Sequence, residues 1–305
     1  MGSNLYADQI DSVVAIFEGA AAIGLTLGPS IGALFYWLGG FCAPFLAVGT
    51  AFAIITPMIF WLVPQEADEE EEDGGDEEAE ENQGSFYREL TYSDILSSRR
   101  IKFLLLGIMV NLIAYVFLDP ILAPYMDDEY GVEEDLVGFI FLAMGFGYLL
   151  FCAALPLLSR YLARRSLIHL GCLLNGCTLL FIAPSQTFRI PKSLALSISA
   201  LTMAGFFCGY AVPLFTEVIE EARVYTGCNS KQFNDLVSGL QNTFFAIGEL
   251  LGPLIGNYLH HKFSFFTTCD VMAFMTLSYV LFHALSCDIF YVNKPAKDHQ
   301  HLRTS

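Results

Sequence analysis

The sequence has few charged residues, and basic residues are especially scarce. Of its 305 residues, 15% are charged and only 15 are Lys or Arg, whereas a soluble domain has about 25% charged residues. A chain that is 54% hydrophobic carries more apolar surface than one or two soluble domains can bury. A large soluble enzyme is therefore a poor interpretation. Nucleic-acid binding is disfavoured as well, because contacts with phosphates need clustered Lys and Arg.

Several sequence signatures of chemistry are also missing. The eight cysteines form no C-x-x-C pair, so neither a disulfide framework nor a zinc site is expected. No Walker loop, nucleotide-binding fingerprint, nucleophile elbow or H-E-x-x-H motif occurs. The prediction is a protein that is not an enzyme and that uses no metal and no cofactor.

The acidic residues are concentrated in one segment. Twelve carboxylates lie between Glu66 and Glu81, and they account for most of the net charge of −17. Because like charges repel and this segment has no apolar residues to bury, we predict a disordered linker over residues 65–98.

Eight segments are long and apolar enough to form membrane-spanning helices, each of which needs about 20 residues. They cover residues 13–38, 43–63, 101–124, 136–158, 167–184, 194–218, 236–260 and 267–290. If the acidic linker is cytoplasmic and the sides alternate, twelve basic residues lie on the cytoplasmic side and three on the other. This bias supports eight spans with both termini in the cytoplasm.

The linker separates two predicted helices from six. This arrangement predicts one half at residues 1–64, represented by its last two helices, and a complete six-helix half at residues 99–292. A cytoplasmic tail follows at residues 293–305. Six helices behind a long charged linker are typical of one half of a transporter that is built from two similar halves.

A glycine motif, G-x-x-x-G-P-x-x-G, occurs once in each half. Glycines at i, i+4 and i+8 lie on one stripe of a helix and let another backbone approach closely, and the proline bends the helix. The two copies consist of Gly24, Gly28, Pro29 and Gly32, and of Gly248, Gly252, Pro253 and Gly256. Generic packing by small residues explains either copy alone but not the repeat.

This motif resembles the antiporter motif in the fifth helix of drug–proton antiporters of the major facilitator superfamily. More narrowly, F-L-D-P-I-L at residues 117–122, L-V-G-F-I-F at 136–141 and P-L-F-T-E-V at 213–218 resemble the vesicular amine transporter family, above all its polyamine-transporter branch. The basic loop at residues 158–165 departs from the superfamily pattern, because it lacks the acidic residue that usually follows its Ser.

The resemblance implies an all-α, polytopic membrane protein with the major facilitator fold, in which the eight spans correspond to helices five to twelve and the fold is truncated at its N-terminus. It also implies proton-coupled antiport of an organic cation, an amine or a polyamine, by alternating access. The implied location is a vesicle or another endomembrane rather than the plasma membrane. A non-transporting membrane scaffold or regulatory fragment is the alternative, and the oligomeric state is open.

Carboxylates inside spans are the main candidates for binding substrate or protons, because a charge within the membrane is costly. Asp119 precedes Pro120, Glu217 follows Pro213, and Glu249 lies within the second glycine motif. The resemblance gives Asp119 and Glu217 a role in binding substrate or protons, and Glu217 is alternatively a gate at a helix end. Surface or structural roles remain the alternatives.

Other polar and aromatic residues complete the candidate set. Asn242 stands where some monoamine carriers have an acid, and Tyr115 and Tyr210 could contact an amine through cation–π interactions or could simply pack. Glu220 and Glu221 are expected to be solvated loop residues. His169 and His283 receive no role. The expected partners are a small organic cation, protons and the lipid bilayer, without nucleic acid.

Overall fold

The structure is a computed structural model that describes residues 24, 28, 31–32, 34–62, 91–132, 134–183, 192–227 and 231–285. Every element in these ranges is a helix, and they contain no strand, which confirms the all-α prediction. The chain divides into two compact units, of which one comprises residues 31–89 and the other the remaining residues.

The unit of residues 31–89 contains one long described helix, α1, at Cys42–Leu62. Apolar side chains are exposed all around it, among them Phe45, Phe52 and Trp61. A helix of 21 residues is about 30 Å long, which matches the hydrocarbon thickness of a bilayer. Its length and its lack of a polar face therefore suit a membrane-spanning helix.

The larger unit is a helical bundle. Its described helices are α2 at Tyr92–Ser97, α3 at Arg99–Val116, α4 at Leu122–Tyr130, α5 at Glu134–Tyr161, α6 at Arg164–Ile182, α7 at Leu194–Cys208, α8 at Ala211–Thr226, α9 at Lys231–Lys262 and α10 at Phe265–His283. Helix α3 packs against α8, α9 and α10, while α7 packs between α5 and α6. The core follows α3 from Ile101 to Phe117.

Local sequence explains where several helices begin and end. The backbone N–H of Thr91 donates to Asp94 at 3.0 Å, and Ile95 is completely buried, so α2 forms inside the segment that the sequence analysis assigned to the linker at 65–98. Helices α4 and α8 end at Gly131 and Gly227, whose φ angles of 65° and 68° are left-handed values that glycine adopts without strain.

Two of the predicted spans are each divided between two helices. The span at 101–124 leaves the helix at Phe117 and resumes as α4, because Pro120 has no N–H for an intrahelical hydrogen bond. The span at 194–218 breaks between α7 and α8 at Gly209 and Tyr210 and continues to Thr226.

Five helical segments in the described residues are long and apolar enough to cross a membrane: Cys42–Ile59, Leu136–Tyr161, Arg164–Ile182, Leu194–Thr226 and Phe265–His283. They correspond to five of the eight predicted spans. Of the other three, α3 begins with a strongly basic turn, and α9 carries several polar residues. The first predicted span at 13–38 falls largely outside the described residues, as do the run from Glu66 to Glu81 and the predicted tail.

Candidate functional site

One end of the bundle holds a cluster of arginines and glutamates from three helices. Arg100 lies in the first turn of α3, Arg164 and Arg165 begin α6, and Glu217 and Glu221 lie one turn apart in the middle of α8. We call these five residues the arginine–glutamate cluster. All of them except Arg100 line a cavity of about 400 Å³, together with neighbouring residues.

Short ion pairs connect the cluster. The guanidinium of Arg100 donates to Glu217 Oε1 at 2.7 Å and lies 2.8 Å from Glu221 Oε2. Arg165 Nε lies 3.2 Å from Glu217 Oε1, and Arg164 pairs with Glu217 at 3.7 Å. Because Arg100 and Glu217 are only 5% and 6% exposed, removing either partner would leave the buried charges of the cluster out of balance.

The cluster corrects one expectation from the sequence. Glu221 lies on α8 rather than in a solvated loop, is 9% exposed and pairs with Arg100, while the exposed Glu220 pairs with Arg164. The basic loop that lacks the usual acidic residue is therefore held by acids of α8. Glu217 is surrounded by arginines, so its position favours the gate alternative over direct binding of a cation.

The other candidate carboxylates lie on an open face of the bundle. Asp119, in the turn after α3, and Glu249, on α9, are both exposed and act on each other electrostatically as like charges. Asn242 is exposed on α9, two turns before Glu249. Tyr115 is half-buried, lies one turn before Asp119 and is close enough to interact with it electrostatically. We call Tyr115, Asp119, Asn242 and Glu249 the acidic face.

The second glycine motif sets the register between α9 and α3. A Cβ added at Gly248 would lie 2.8 Å from the carbonyl oxygen of Met109, and one added at Gly252 would lie 3.3 Å from Ile113 Cα. Gly256 is equally close to Phe117. In this parallel register Glu249 lies level with about residue 110 of α3, so about nine residues, or roughly 13 Å along the helix axes, separate it from Asp119.

The first copy of the motif has different surroundings. A Cβ added at Gly24, Gly28 or Gly32 would meet no atom of the described chain within 4 Å. Pro29 lies outside the described residues. In the second copy, Pro253 lies inside α9 without ending it. The packing role of the first copy therefore stays a prediction.

Tyr210 lies in the core, away from the acidic face. It is completely buried, and a Cβ added at Gly171 would lie 2.5 Å from its Cβ. A ring enclosed in this way favours packing, the alternative to a cation–π contact. Pro213, one turn further, is also buried.

Asn111 is a polar core residue that the sequence analysis overlooked. Its amide donates to the backbone carbonyl of Cys208 at 3.0 Å, and the thiol of Cys208 donates back to its oxygen at 3.4 Å. The helix break after Cys208 leaves that carbonyl without a helical partner, and Asn111 supplies the donor. Asn111, Tyr115 and Asp119 stand at i, i+4 and i+8, a spacing that predicts polar side chains on one side of α3 and of the turn that follows it.

Asp270 is a second overlooked residue. It is 9% exposed on α10, within the last predicted span. A carboxylate inside an apolar segment was a sufficient signal to single it out.

Comparisons with known proteins agree with this architecture. A helical bundle with several segments able to cross a bilayer is that of an integral, multi-pass membrane protein. The sequence profile described as Major Facilitator Superfamily matches residues 3–225. The chain belongs to the Major Facilitator Superfamily.

Individual relatives are similar to this chain at modest sequence identity. Two proteins named MFS-type transporter SLC18B1, from Mus musculus and Homo sapiens, are 24% and 23% identical to 94% of this chain. A Bacillus subtilis (strain 168) protein named Uncharacterized MFS-type transporter YuxJ is 30% identical over 59% of this chain and 42% of its own length. The chain spans about three-fifths of the length of the SLC18B1 relatives, 59% in each case.

Proposed function

We propose that the protein takes part in proton-coupled antiport of an organic cation, an amine or a polyamine, across a vesicle membrane or another endomembrane. The acidic face supplies the negative charge that the cation and the proton neutralise in turn. The arginine–glutamate cluster acts as a gate, on the cytoplasmic side, where both termini also lie. The observation that carries this proposal is the pair of carboxylates at Asp119 and Glu249.

The electrostatics of the two carboxylates support a cationic ligand. Asp119 and Glu249 repel each other, whereas Glu217 and Glu221 share Arg100, and Glu217 also pairs with Arg164 and Arg165. A cation that binds between two like charges removes their repulsion, and a proton on either carboxylate does the same. Competition between a cation and a proton for the same negative charge is the chemical requirement for antiport.

The spacing of the acidic face favours a ligand with more than one positive charge. A separation of roughly 13 Å along the helix axes exceeds the reach of a single ammonium group and suits two ammonium groups joined by several methylenes. Tyr115 stands beside Asp119, where its ring could contact one of these groups. Asn242 adds a neutral hydrogen-bonding side chain on the same face of α9.

The gate follows from the position of the arginine–glutamate cluster. It joins the first turns of α3 and α6 to α8 through ion pairs with the buried Glu217 and Glu221. Alternating access requires helix ends to separate at one side of the membrane while they close at the other. Exchange of these ion pairs would allow that movement without leaving a charge unpaired.

A binding measurement on the 305-residue chain in lipid nanodiscs tests the proposal. We expect radiolabelled spermidine to bind, and Asp119→Asn or Glu249→Gln to weaken binding about tenfold, because a hydrogen bond to a charged group contributes roughly 1.5–3 kcal/mol. Tetraethylammonium, with one charge, is expected to bind more weakly than spermidine.

Asp127→Asn is the matched control, since Asp127 is an exposed acid on the nearby α4 outside the acidic face. It should leave spermidine affinity within twofold. Unchanged affinity in both Asp119→Asn and Glu249→Gln would refute the cation site. Binding without transport in proteoliposomes would favour the scaffold alternative.

A further inference from the structure

A groove between α6 and α10 opens on the outer surface of the bundle. Its volume is about 570 Å³, and each helix contributes four lining residues: Ser166, His169, Leu170 and Leu173 from α6, and Leu277, Val280, Leu281 and Ala284 from the end of α10. In both sets the residues stand at i, i+3, i+4 and i+7. Each helix therefore contributes one continuous stripe of about two turns, roughly 10 Å long.

Contacts between the two helices form the floor of the groove. A Cβ added at Gly176 of α6 would lie 2.8 Å from Leu277 Cγ. Seven residues earlier on α6, His169 Nε2 lies 2.9 Å from Nδ1 of His283, the last residue of α10. The helices thus run antiparallel, and the first turn of α6 is level with the end of α10.

The groove is polar at one end only. Six of its eight lining residues are apolar, and the two polar ones, Ser166 and His169, lie in the first two turns of α6, next to the arginine–glutamate cluster. Both ring nitrogens of His169 have partners, which are His283 and the carbonyl oxygen of Arg165, so Ser166 supplies the hydrogen-bond donor. Arg165 directly precedes Ser166, and its side chain is 55% exposed. An apolar channel therefore ends beside a hydroxyl and a guanidinium group.

This change from apolar to polar runs in the direction of a lipid molecule in a bilayer. Both α6 and α10 are among the segments able to cross a membrane, and Leu170, Leu173 and Leu281 on the groove walls are exposed. The walls therefore face the hydrocarbon core, while the polar end lies where the helices reach the headgroups. A lipid in the groove has its headgroup beside Arg165 and Ser166 and a chain along the leucines.

We propose that the groove between α6 and α10 binds an anionic phospholipid, with its phosphate at Arg165 and Ser166 and one acyl chain against the apolar walls. A guanidinium group binds phosphate through charge-assisted hydrogen bonds, often two at once. The pair of Arg165 with Glu217 uses Nε, the atom nearest the stem of the side chain. The phosphate is assigned to the two terminal nitrogens beyond it.

The charge at this end of the groove favours an anion. Glu217 is shared by Arg165, Arg100 and Arg164, so no single arginine has this carboxylate to itself. Arg160, in the last turn of α5, adds an exposed positive charge to the short loop that leads to Arg165. If this end is cytoplasmic, as in the proposed function, the lipid belongs to the leaflet that carries the anionic phospholipids. The site itself requires only the membrane-embedded bundle and not transport.

Substitutions separate the headgroup contact from the apolar groove. Arg165→Gln removes the guanidinium charge, Arg165→Lys keeps a charge without the planar fork, and Ser166→Ala removes the hydroxyl. Leu173→Trp fills the groove and leaves the arginine–glutamate cluster intact, so it tests the site even if Arg165→Gln fails to fold. The controls are Lys102→Gln, an exposed basic residue at the same end, and Val271→Trp, an exposed apolar residue at the other end of α10.

Native mass spectrometry of the full 305-residue chain in detergent measures the affinity. The probes are phosphatidylserine and phosphatidylcholine with the same dioleoyl chains. We expect phosphatidylserine to bind about tenfold more tightly, and Arg165→Gln and Leu173→Trp each to lower its affinity about tenfold. Ser166→Ala should lower it about threefold, Arg165→Lys should be intermediate, and both controls should stay within about twofold of the unmodified chain.

Photo-crosslinking in nanodiscs locates the lipid. A phosphatidylserine analogue with a diazirine in one acyl chain should label peptides of α6 and α10, and Leu173→Trp should lose this labelling while Val271→Trp keeps it. Equal affinity for the two lipids, unchanged affinity in both Arg165→Gln and Leu173→Trp, or labelling confined to other helices would overturn the site. Displacement of phosphatidylserine by inorganic phosphate alone, or by cholesterol at equal concentration, would overturn the assignment to an anionic phospholipid.

Discussion

The bundle carries two pairs of carboxylates in opposite electrostatic situations. Glu217 and Glu221 are buried and share Arg100, and Glu217 also pairs with Arg164 and Arg165, so arginines of the chain balance their charge. Asp119 and Glu249 are exposed and repel each other. The first pair has its cation built into the chain, and the second has the arrangement that a soluble cation could neutralise. Burial alone would therefore point to the wrong pair as the site of a cationic ligand.

The largest expected effect comes from breaking the neutralised pair. Arg100→Met should lower the free energy of unfolding by about 3–5 kcal/mol, because it leaves Glu217 and Glu221 buried without their common cation. Arg99→Met removes an exposed arginine one residue earlier and should cost less than about 1 kcal/mol. Denaturant unfolding in mixed micelles measures both.

A rescue variant sharpens this test. Adding Glu217→Gln and Glu221→Gln to Arg100→Met removes the buried charges along with their partner, and much of the stability should return. If Arg100→Met costs no more than Arg99→Met, the cluster is not a buried ion-pair network.

An intermediate effect on stability is expected at the contact between α9 and α3, which sets the distance between Asp119 and Glu249. Gly252→Leu places a side chain against the backbone of Ile113 and should cost about 1–3 kcal/mol. It should also weaken spermidine binding, because separating α9 from α3 changes the distance between Glu249 and Asp119. Leu254→Ala, exposed on the same helix, serves as the control in thermal unfolding and binding assays. Equal effects of the two substitutions would contradict the close contact of α9 with α3.

The smallest effect on stability should follow neutralisation of the exposed pair. Asp119→Asn and Glu249→Gln should each change the free energy of unfolding by less than about 0.5 kcal/mol, as surface substitutions do. Glu217→Gln should cost about 1–3 kcal/mol, because it disturbs buried hydrogen bonds. Chemical denaturation of the three variants compares them directly, and equal losses would erase the distinction between the two pairs.

Sequence reasoning reached the acidic face but not the arginine–glutamate cluster. Asp119 and Glu249 are visible as charges within apolar segments, and the spacing of the second glycine motif anticipates a close contact of the kind α9 makes with α3. The cluster depends on a contact between Arg100 and Glu217, which lie 117 positions apart, and no local pattern encodes that pairing. For the same reason Glu221 was expected in solvent.

The two divided spans differ in how readable their breaks are from the sequence. Pro120 is visible in the sequence, and its missing N–H accounts for the end of α3 and the new start of α4. The break at Gly209 and Tyr210 depends on Asn111, which satisfies the carbonyl of Cys208 from another helix. A hydrogen bond from another helix of this kind decides whether an apolar run can break. The residues of the run itself do not show whether such a bond forms.

The most direct test of the account is uptake of radiolabelled spermidine by proteoliposomes that contain the protein and have an acidic interior. The account predicts uptake that depends on the pH gradient, loss of at least nine-tenths of it in Asp119→Asn, and uptake close to that of the unmodified protein in Asp127→Asn. Full gradient-dependent uptake by Asp119→Asn would contradict the assignment of the exposed pair as the cation and proton site.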